Sequence, residues 1–490
     1  MECRVPFDYG LGYGIVKYFV DNIDYHMAPY NIDEITLESR PVDSTFYIQV
    51  LHYHYYRGMV HEHEILNTLL NDSIPSLKNL SVINFCDARI EDQILRVIAL
   101  NCRSLTFLNL HKTGVSVNGI KFLCGEDSVV KPCLKKLISD YTNVSPLSAM
   151  LCLLAFMNLK YFLSDSTIWA VLRFLESVED LASKSGGIVK FKTSILKNNF
   201  ATHRFRTPNE DMLWEFYIMF PKVHRLIFTS VRRSSIRFTN ILILMMNLTE
   251  LDLSADVDRT GRNYYTFYSL KESLDRCGDK LLSLKLEKFL DVNVFYLATQ
   301  CKNLMRLFLI NNTFDDKSYF HKIPNLFKEL IELQIILVRN QVNHLYRELF
   351  LSEAALYSLL SSSQLIKVLI YCQARFSDIM MGDLFEDDHL QNLNEIFIYH
   401  CDHITNLTLW ELVNNTRPIE KVETGFSTLI SNDLVEMLKG YIKEKKLKVS
   451  ISNVTNNPYF LRWSVVDLPI SDRDTFDLDN SDLYINQIME

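Results

Sequence analysis

The densest group of residues that could do chemistry lies near the amino terminus. It comprises His52, His54, His61, Glu62, His63 and Glu64. On a strand, residues i and i+2 share a face, so a His-x-His pair could supply two nitrogen ligands to a transition metal. On a helix the same pairs diverge, and the segment HYHYYRG is typical of a helix end followed by a turn. We therefore interpret the cluster as a solvated surface and expect no metal site.

No other stretch has the spacing of a catalytic or cofactor-binding motif. The patterns H-E-x-x-H and G-x-S-x-G and the phosphate-binding P-loop are absent. Gly10, Gly12 and Gly14 alternate, but no predicted strand precedes them and the dinucleotide fingerprint is incomplete. The sequence therefore predicts a protein that is not an enzyme and that uses no cofactor.

The composition is that of a globular protein with enough apolar residues for a large core. Of the 490 residues, 48% are hydrophobic and 22% are charged. The formal net charge of -8 argues against nonspecific nucleic-acid binding, and no apolar run approaches the roughly 18 residues of a membrane span. The ten cysteines form no C-x-x-C pair, which fits a reducing compartment. We expect a cytoplasmic or nuclear protein that has no membrane segment and does not take nucleic acid as its main partner.

A repeat organises most of the chain. When the stretch 79–123 is shifted by 25 residues, Leu80, Ile83 and Phe85 fall on Leu105, Leu108 and Leu110. Each copy begins with L-x-x-L-x-L, which ends with the period of a strand, and continues with helical spacing. One strand and one helix in 20 to 29 residues is typical of a leucine-rich repeat. We therefore predict an α/β leucine-rich-repeat solenoid, a horseshoe of the ribonuclease-inhibitor kind, with a parallel concave sheet and convex helices.

The same pattern gives the domain boundaries. We expect a helical cap over residues 1–75, the solenoid over 76–452 and a cap with a flexible acidic tail over 453–490. An irregular insertion is predicted at about 182–222, and its segment 182–209 contains six basic residues and no acidic one. That segment is interpreted as a solvated loop or an irregular repeat or, alternatively, as a contact for phosphate or an acidic partner. The predicted strands begin at Leu80, Leu105, Leu134, Leu159, Val223, Leu248, Leu281, Leu304, Leu330, Leu365, Leu393 and Ile419.

The candidate binding surface lies on the concave face of the late repeats. The leucines of L-x-x-L-x-L point into the core, so the third, fifth and seventh positions project from the opposite face. At the fifth and seventh positions these repeats place Phe308, Ile310, Ile336, Leu369, Tyr371, Phe397 and Tyr399. An exposed apolar patch of this size is typical of a binding surface. Alternatively, the register slips by one in an imperfect copy such as the one at Leu330, or a loop or the tail covers the patch.

Charged residues are predicted to rim this patch, and the early repeats are more polar. The third positions alternate in sign through Arg306, Glu332, Lys367 and Glu395, with Lys421 next. The inner face of the early copies carries Asn84, Cys86, Asn109, His111, Ile138, Asp140 and Asp165.

The repeats resemble those of the F-box/LRR proteins, in which a cysteine at the end of the helix precedes the strand. Cys102, Cys301 and the segment HCDHIT at 400–405 carry the resemblance, which covers roughly residues 76–450. It implies capture of a protein substrate for a cullin-based ubiquitin ligase. The first 75 residues contain no F-box sequence.

The amino terminus resembles the Zyg-eleven group of leucine-rich receptors, which carry a short elongin-binding helix before their repeats. That resemblance implies adaptor binding by Leu11, Ile15, Tyr18 and Phe19. We therefore expect a non-catalytic interaction module, a substrate receptor of a cullin-RING ubiquitin ligase, with a Skp or elongin adaptor and a cullin as partners. The alternatives are a scaffold or inhibitor without an adaptor and, with less support, an RNA-associated repeat protein.

Overall fold

A computed structural model was used to describe the fold. It describes residues 50–52, 67–178, 190–199, 216–231, 242–255, 266–315, 327–336, 352–372, 376–425 and 429–453, with gaps of one to three residues inside these ranges. The chain divides into two compact units, each of which is described separately.

The first unit is built on strands that run parallel and pair in chain order. They are β1 (Val50–His52), β2 (Val82–Asn84), β3 (Phe107–Asn109), β4 (Lys136–Ile138), β5 (Tyr161–Leu163) and β6 (Ile195–Asn199). The elements described between them include a 3-10 helix, Ile74–Ser76, and the α-helices α1 (Asp92–Asn101), α2 (Val117–Cys124), α3 (Pro146–Ala155) and α4 (Thr167–Val178).

The second unit repeats this arrangement with longer strands. They are β7 (Arg225–Val231), β8 (Glu250–Ala255), β9 (Ser283–Glu287), β10 (Arg306–Ile310), β11 (Glu332–Ile336), β12 (Val368–Cys372), β13 (Glu395–Tyr399), β14 (Lys421–Gly425) and β15 (Ser450–Asn453), parallel and in chain order. Its helices are α5 (Lys271–Cys277), α6 (Val294–Gln300), α7 (Glu353–Ser362), α8 (Asp378–Glu386), α9 (Asn406–Asn414) and α10 (Asn432–Lys445), with 3-10 turns at Phe267–Leu270 and Gly278–Lys280.

The leucine pattern forms the core between strands and helices. All the predicted strand-start residues except Leu365 are buried. The amide of the strand-start residue commonly donates to the carbonyl three residues earlier, as Leu105 N does to Cys102 O at 3.3 Å and Leu304 N to Cys301 O at 3.2 Å. This turn joins the helix end to the strand, so the predicted α/β leucine-rich-repeat solenoid fold is confirmed.

Successive helix starts are joined by hydrogen bonds that we call cap-to-cap links. Asp92, the first residue of α1, accepts from the amide of Ser116 at 2.8 Å and from its hydroxyl at 2.5 Å. Ser116 in turn caps α2 by accepting from the amide of Asn118. Equivalent links join Asn67 to Glu91, Glu353 to Ser377, Asp378 to Thr405 and Asn406 to Ser431. A polar side chain at one helix start therefore fixes the start of the next repeat.

The structure describes one strand in each of the two regions predicted to be irregular. β1 lies inside residues 1–75, which were predicted to be helical, and His52 ends that strand instead of a helix. β6 lies inside the predicted insertion 182–222 and pairs with β5 as a regular repeat strand. The segment 453–490 lies outside the described residues apart from Asn453, so its prediction stays a prediction. Within the described ranges, no helix is long and apolar enough to cross a bilayer.

Candidate functional site

The late-repeat surface predicted to bind a partner is not exposed. The exposed fractions of Phe308, Ile310, Ile336, Phe397 and Tyr399 are 8%, 8%, 2%, 5% and 4%. Neighbouring strands lie about 4.8 Å apart, so long side chains at equivalent positions cover one another. The Lys421 ammonium lies 4.9 Å from the centre of the Phe397 ring, and the Tyr399 hydroxyl donates to the Glu423 carboxylate. In the structure these five side chains therefore do not form an accessible apolar patch, and their role in partner binding stays a prediction.

The register of β12 differs from the predicted one by one residue. Leu365 was taken as the first core residue, but it is 39% exposed, whereas Ile366 is fully buried. Leu369 and Tyr371 pair in register with the core residues Leu333 and Ile335. Lys367 precedes the strand, and Val368 takes the position aligned with Glu332 and Glu395. This register places none of Lys367, Leu369 and Tyr371 at the positions predicted to project from the sheet. The side chains of β12 lie outside the described part of the structure.

Two residues of the predicted charged rim, Arg306 and Glu332, belong to an ion network that is largely buried. Arg306 pairs in register with Glu332, and its Nη2 lies 3.5 Å from Glu250 Oε1. Arg225 reaches Asp252 at 2.5 Å between Nη2 and Oδ2, and Glu250 at 3.6 Å between Nε and Oε2. Burial lowers the pKa of Arg306 despite these carboxylates. The network neutralises charge inside the unit and does not present it to a partner. Glu395 remains half-buried on β13.

The accessible sheet face lies in the first unit instead. In each of β2 to β5 the middle residue is buried, and the first and third residues are half-buried. We call this surface the early sheet face. It consists of Val82, Asn84, Phe107, Asn109, Lys136, Ile138, Tyr161 and Leu163. Sequence reasoning placed three of these residues on the inner face but did not select them, because it favoured the more apolar late repeats.

The early sheet face combines rings, an ammonium group and an amide donor. Lys136 Nζ lies 4.4 Å from the centre of the Tyr161 ring, a cation–π contact that positions both side chains. Asn109 Oδ1 accepts from the amide of His111 at 2.9 Å, which orients its carboxamide. Among the described residues, the Nδ2 group of Asn109 has no acceptor, so it can donate to a bound molecule.

Polar residues line the carboxyl ends of the same strands. His111 Nδ1 lies 2.7 Å from Asp140 Oδ1, with 22% and 7% of their side chains exposed. Asn84 Oδ1 holds the amide of Cys86 at 3.1 Å. The part of the chain that the structure describes contains no group of three or more residues suited to hold a metal ion. This end of the face is therefore a hydrogen-bonding rim.

The predicted adaptor-binding residues cannot be placed. Leu11, Ile15, Tyr18 and Phe19 lie outside the described residues, as do His54, His61, Glu62, His63 and Glu64.

No protein-family model matches the chain, and no curated protein matches it. Solved structures that resemble it include the complex of Rad7 and Elc1 in yeast, TLR13 with a single-stranded RNA, and a leucine-rich-repeat protein of Leptospira interrogans. Identities are 14%, 13% and 15%, and the matches cover 79% of this chain and 87%, 64% and 87% of the others. The TM-scores are 0.44, 0.32 and 0.30.

Proposed function

We propose that this protein is a non-catalytic protein-binding module whose partner lies on the early sheet face. The observation that carries the proposal is the row of half-buried Val82, Phe107, Lys136 and Tyr161 on neighbouring parallel strands. Aromatic side chains on a rigid support are the usual energetic anchors of protein interfaces. The buried late repeats offer no comparable surface among the described strands.

The surface has the parts that a protein interface needs. Phe107 and Tyr161 supply apolar area with little conformational entropy to lose. Asn109 supplies a donor for a partner's carbonyl, and the rim around His111 and Asp140 is polar. An apolar centre with a hydrogen-bonding rim is the common anatomy of such interfaces.

We further propose that the module is a substrate receptor of a cullin-RING ubiquitin ligase. The support is the resemblance of the repeats to F-box/LRR proteins and of Leu11, Ile15, Tyr18 and Phe19 to an elongin-binding helix. In this proposal the amino terminus binds a Skp or elongin adaptor, and the early sheet face holds the protein substrate. The alternative is a scaffold or inhibitor that binds its partner without an adaptor.

The surface is tested by a double substitution, Phe107→Ala with Tyr161→Ala. Cross-linking of the full-length chain in cell lysate, followed by quantitative mass spectrometry, measures the captured proteins. We expect the variant to capture its specific partners at least about tenfold less than the parent, because each anchoring side chain contributes about 2 kcal/mol or more to binding. Phe122→Ala on α2 is the matched control, since Phe122 is an exposed ring of the same unit that lies on a helix. Equal capture by a folded double variant would disprove the assignment.

The ligase role is tested separately by co-expression with the elongin adaptor pair or with the Skp adaptor. The full-length chain is expected to co-purify with one of them, and a variant lacking residues 1–30 is expected to lose it. If the folded chain binds neither adaptor, the scaffold or inhibitor alternative is the correct one.

A further inference from the structure

A second surface of the first unit carries basic residues from several repeats. We call it the basic edge, and it consists of Arg103, Lys131, Lys135, Lys160, Lys190 and Lys192. All six lie at or just before the amino ends of β3 to β6, and all are exposed except Lys131, which is half-buried. The sequence showed only part of this surface, because Lys190 and Lys192 alone belong to the basic segment 182–209.

Backbone hydrogen bonds place the central lysines side by side. Lys160 N donates to Lys135 O at 2.7 Å, and Lys135 N donates to Thr106 O at 2.8 Å. On the other side, Ser194 N donates to Lys160 O at 2.8 Å. Residues aligned in this way on paired strands lie about 4.8 Å apart. Lys135 and Lys160 therefore project from the same edge of the sheet.

The turns before these strands bring in the remaining basic residues. The Cys133 thiol donates to Arg103 O at 2.9 Å, and Asn158 Nδ2 donates to Pro132 O at 2.8 Å. Lys192 Nζ donates to Asn158 Oδ1 at 2.8 Å. Each turn thus contacts the next, so the positive charges follow one another along the edge.

Few acidic residues of the described repeats lie near this edge in the sequence. Between Ser128 and Ser164 there are four lysines and one acidic residue, Asp140. Asp140 lies beyond the carboxyl end of β4, where it contacts His111. Within the described ranges, Arg103, Lys131, Lys135, Lys160 and Lys190 form no ion pair. Clustered like charges repel, so a bound anion is favoured at this edge.

We propose that the basic edge binds an acidic polypeptide segment of the partner that occupies the early sheet face. This inference rests on the proposed function, and it adds the chemistry of the partner. Lys136 belongs to the early sheet face and directly follows Lys135 of the basic edge, so one partner can contact both surfaces.

A protein is favoured over a nucleic acid for two reasons. Phe191, between Lys190 and Lys192, is only 3% exposed, so this ring cannot stack on a base. The net charge of the chain is -8, and Asp140 and Asp165 lie at the opposite ends of the same repeats. A long polyanion laid across the sheet would be repelled there, whereas a peptide with acidic residues at one end would not.

The test uses the full-length chain and a fluorescent peptide of about ten glutamates at about 50 mM salt, where screening is moderate. Anisotropy titration is expected to show binding that weakens at least about tenfold in Lys135→Glu with Lys160→Glu. The matched control is Lys439→Glu with Lys443→Glu, two exposed lysines of α10, which should change the dissociation constant less than about twofold. Lys135→Gln with Lys160→Gln removes the charge without reversing it and should weaken binding in the same direction.

Three outcomes would overturn the proposal: no binding of the glutamate peptide, binding that ignores the Lys135 and Lys160 substitutions, or equal or tighter binding of a ten-nucleotide single strand. The last result would assign the edge to nucleic acid. The peptide assay needs neither adaptor nor substrate, so it separates the two proposals. Suppose that the double variant Phe107→Ala with Tyr161→Ala still captures protein at the full level and that the peptide assay gives the expected result. The proposed binding role of the early sheet face is then disproved, and the proposal for the basic edge is supported.

Discussion

Arg306 of β10 pairs with Glu250 of β8 across the strand that lies between them. The distance from Nη2 to Oε1 is 3.5 Å, and Ser283 of β9 occupies the aligned position on the intervening strand. Ser283 is buried and small, so the guanidinium can extend over it. A charge ladder in a parallel sheet can therefore skip one strand when that strand carries a short side chain.

We predict that Arg306→Met lowers the free energy of unfolding by about 3 kcal/mol. The substitution keeps the apolar stem but removes the positive charge that faces Glu332 and one of the two guanidinium groups beside Glu250, which keeps Arg225. Urea unfolding followed by circular dichroism measures the effect. The control is Arg276→Met, which removes an exposed pair with Glu272 and should cost less than about 0.5 kcal/mol. An equal loss of unfolding free energy in both variants would show that the buried ion pair does not stabilise the fold.

Asp378 is expected to make stability depend on pH in the acidic range. Burial raises the pKa of this carboxyl, but hydrogen bonds from Thr405 and Thr408 outweigh it and hold the pKa below its ordinary value. A carboxyl with a lowered pKa in the folded state stabilises the fold above its unfolded pKa. That contribution is lost as pH falls through the lowered value.

The variant Asp378→Asn should therefore be less stable than the parent at pH 7, by about 1 to 2 kcal/mol. The difference should shrink as pH falls from about 5 toward 2. Unfolding free energies measured across this range check the sign. Asp383→Asn, an exposed position of the same helix, is the control, and a constant difference at all pH values would contradict the assignment.

Replacing a glycine by alanine should lower the free energy of unfolding at one position and raise it at another. A Cβ at Gly278 would lie 3.0 Å from the carbonyl oxygen of Gln300, so the backbone must move. A Cβ at Gly440, inside α10, would meet nothing within 4 Å. We expect Gly278→Ala to cost about 1 to 3 kcal/mol and Gly440→Ala to add about 0.5 to 1 kcal/mol. Thermal unfolding of the two variants decides this, and the same sign in both would refute it.

The buried cysteines should be inert in the folded protein. Burial raises the pKa of Cys102 and Cys301 to about 12 and that of Cys277 to about 11. The reactive thiolate is then scarce at neutral pH. Iodoacetamide at pH 8 should label Cys124 and Cys133, which are partly exposed, before these three. Mass spectrometry after urea unfolding should show all five labelled, and early labelling of Cys102 would contradict the packing.

The fold could be predicted because its signal is local. Leu80, Leu105, Leu281 and Leu304 each lie two residues before a strand and are fully buried, as the L-x-x-L-x-L spacing indicates. The register of β12 could not be predicted in the same way. Leu365 and Ile366 are adjacent and both apolar, so the pattern fits two registers equally well.

The accessible surface was harder to predict than the core. Whether Phe397 is exposed depends on the lengths of the side chains on the neighbouring strands and on what lies above them. Lys421 and Glu423 of β14 contact Phe397 and Tyr399 of the neighbouring strand β13. The strands β2 to β5 are short, and their first and third residues, such as Val82, Asn84 and Asn109, are only half-buried. Composition alone therefore could not show how accessible each part of the sheet is.

The cap-to-cap links have a consequence for how such a chain can change in length. The segment 377–404 begins with Ser377, which donates to Glu353 in the preceding repeat. It also carries Asp378, which accepts from Thr405 at the start of the following repeat. A tandem duplicate of this segment would bring its own donor and its own acceptor. Duplication by whole repeats therefore leaves no polar group unmatched at the new junction, whereas an insertion of partial length breaks a link on each side.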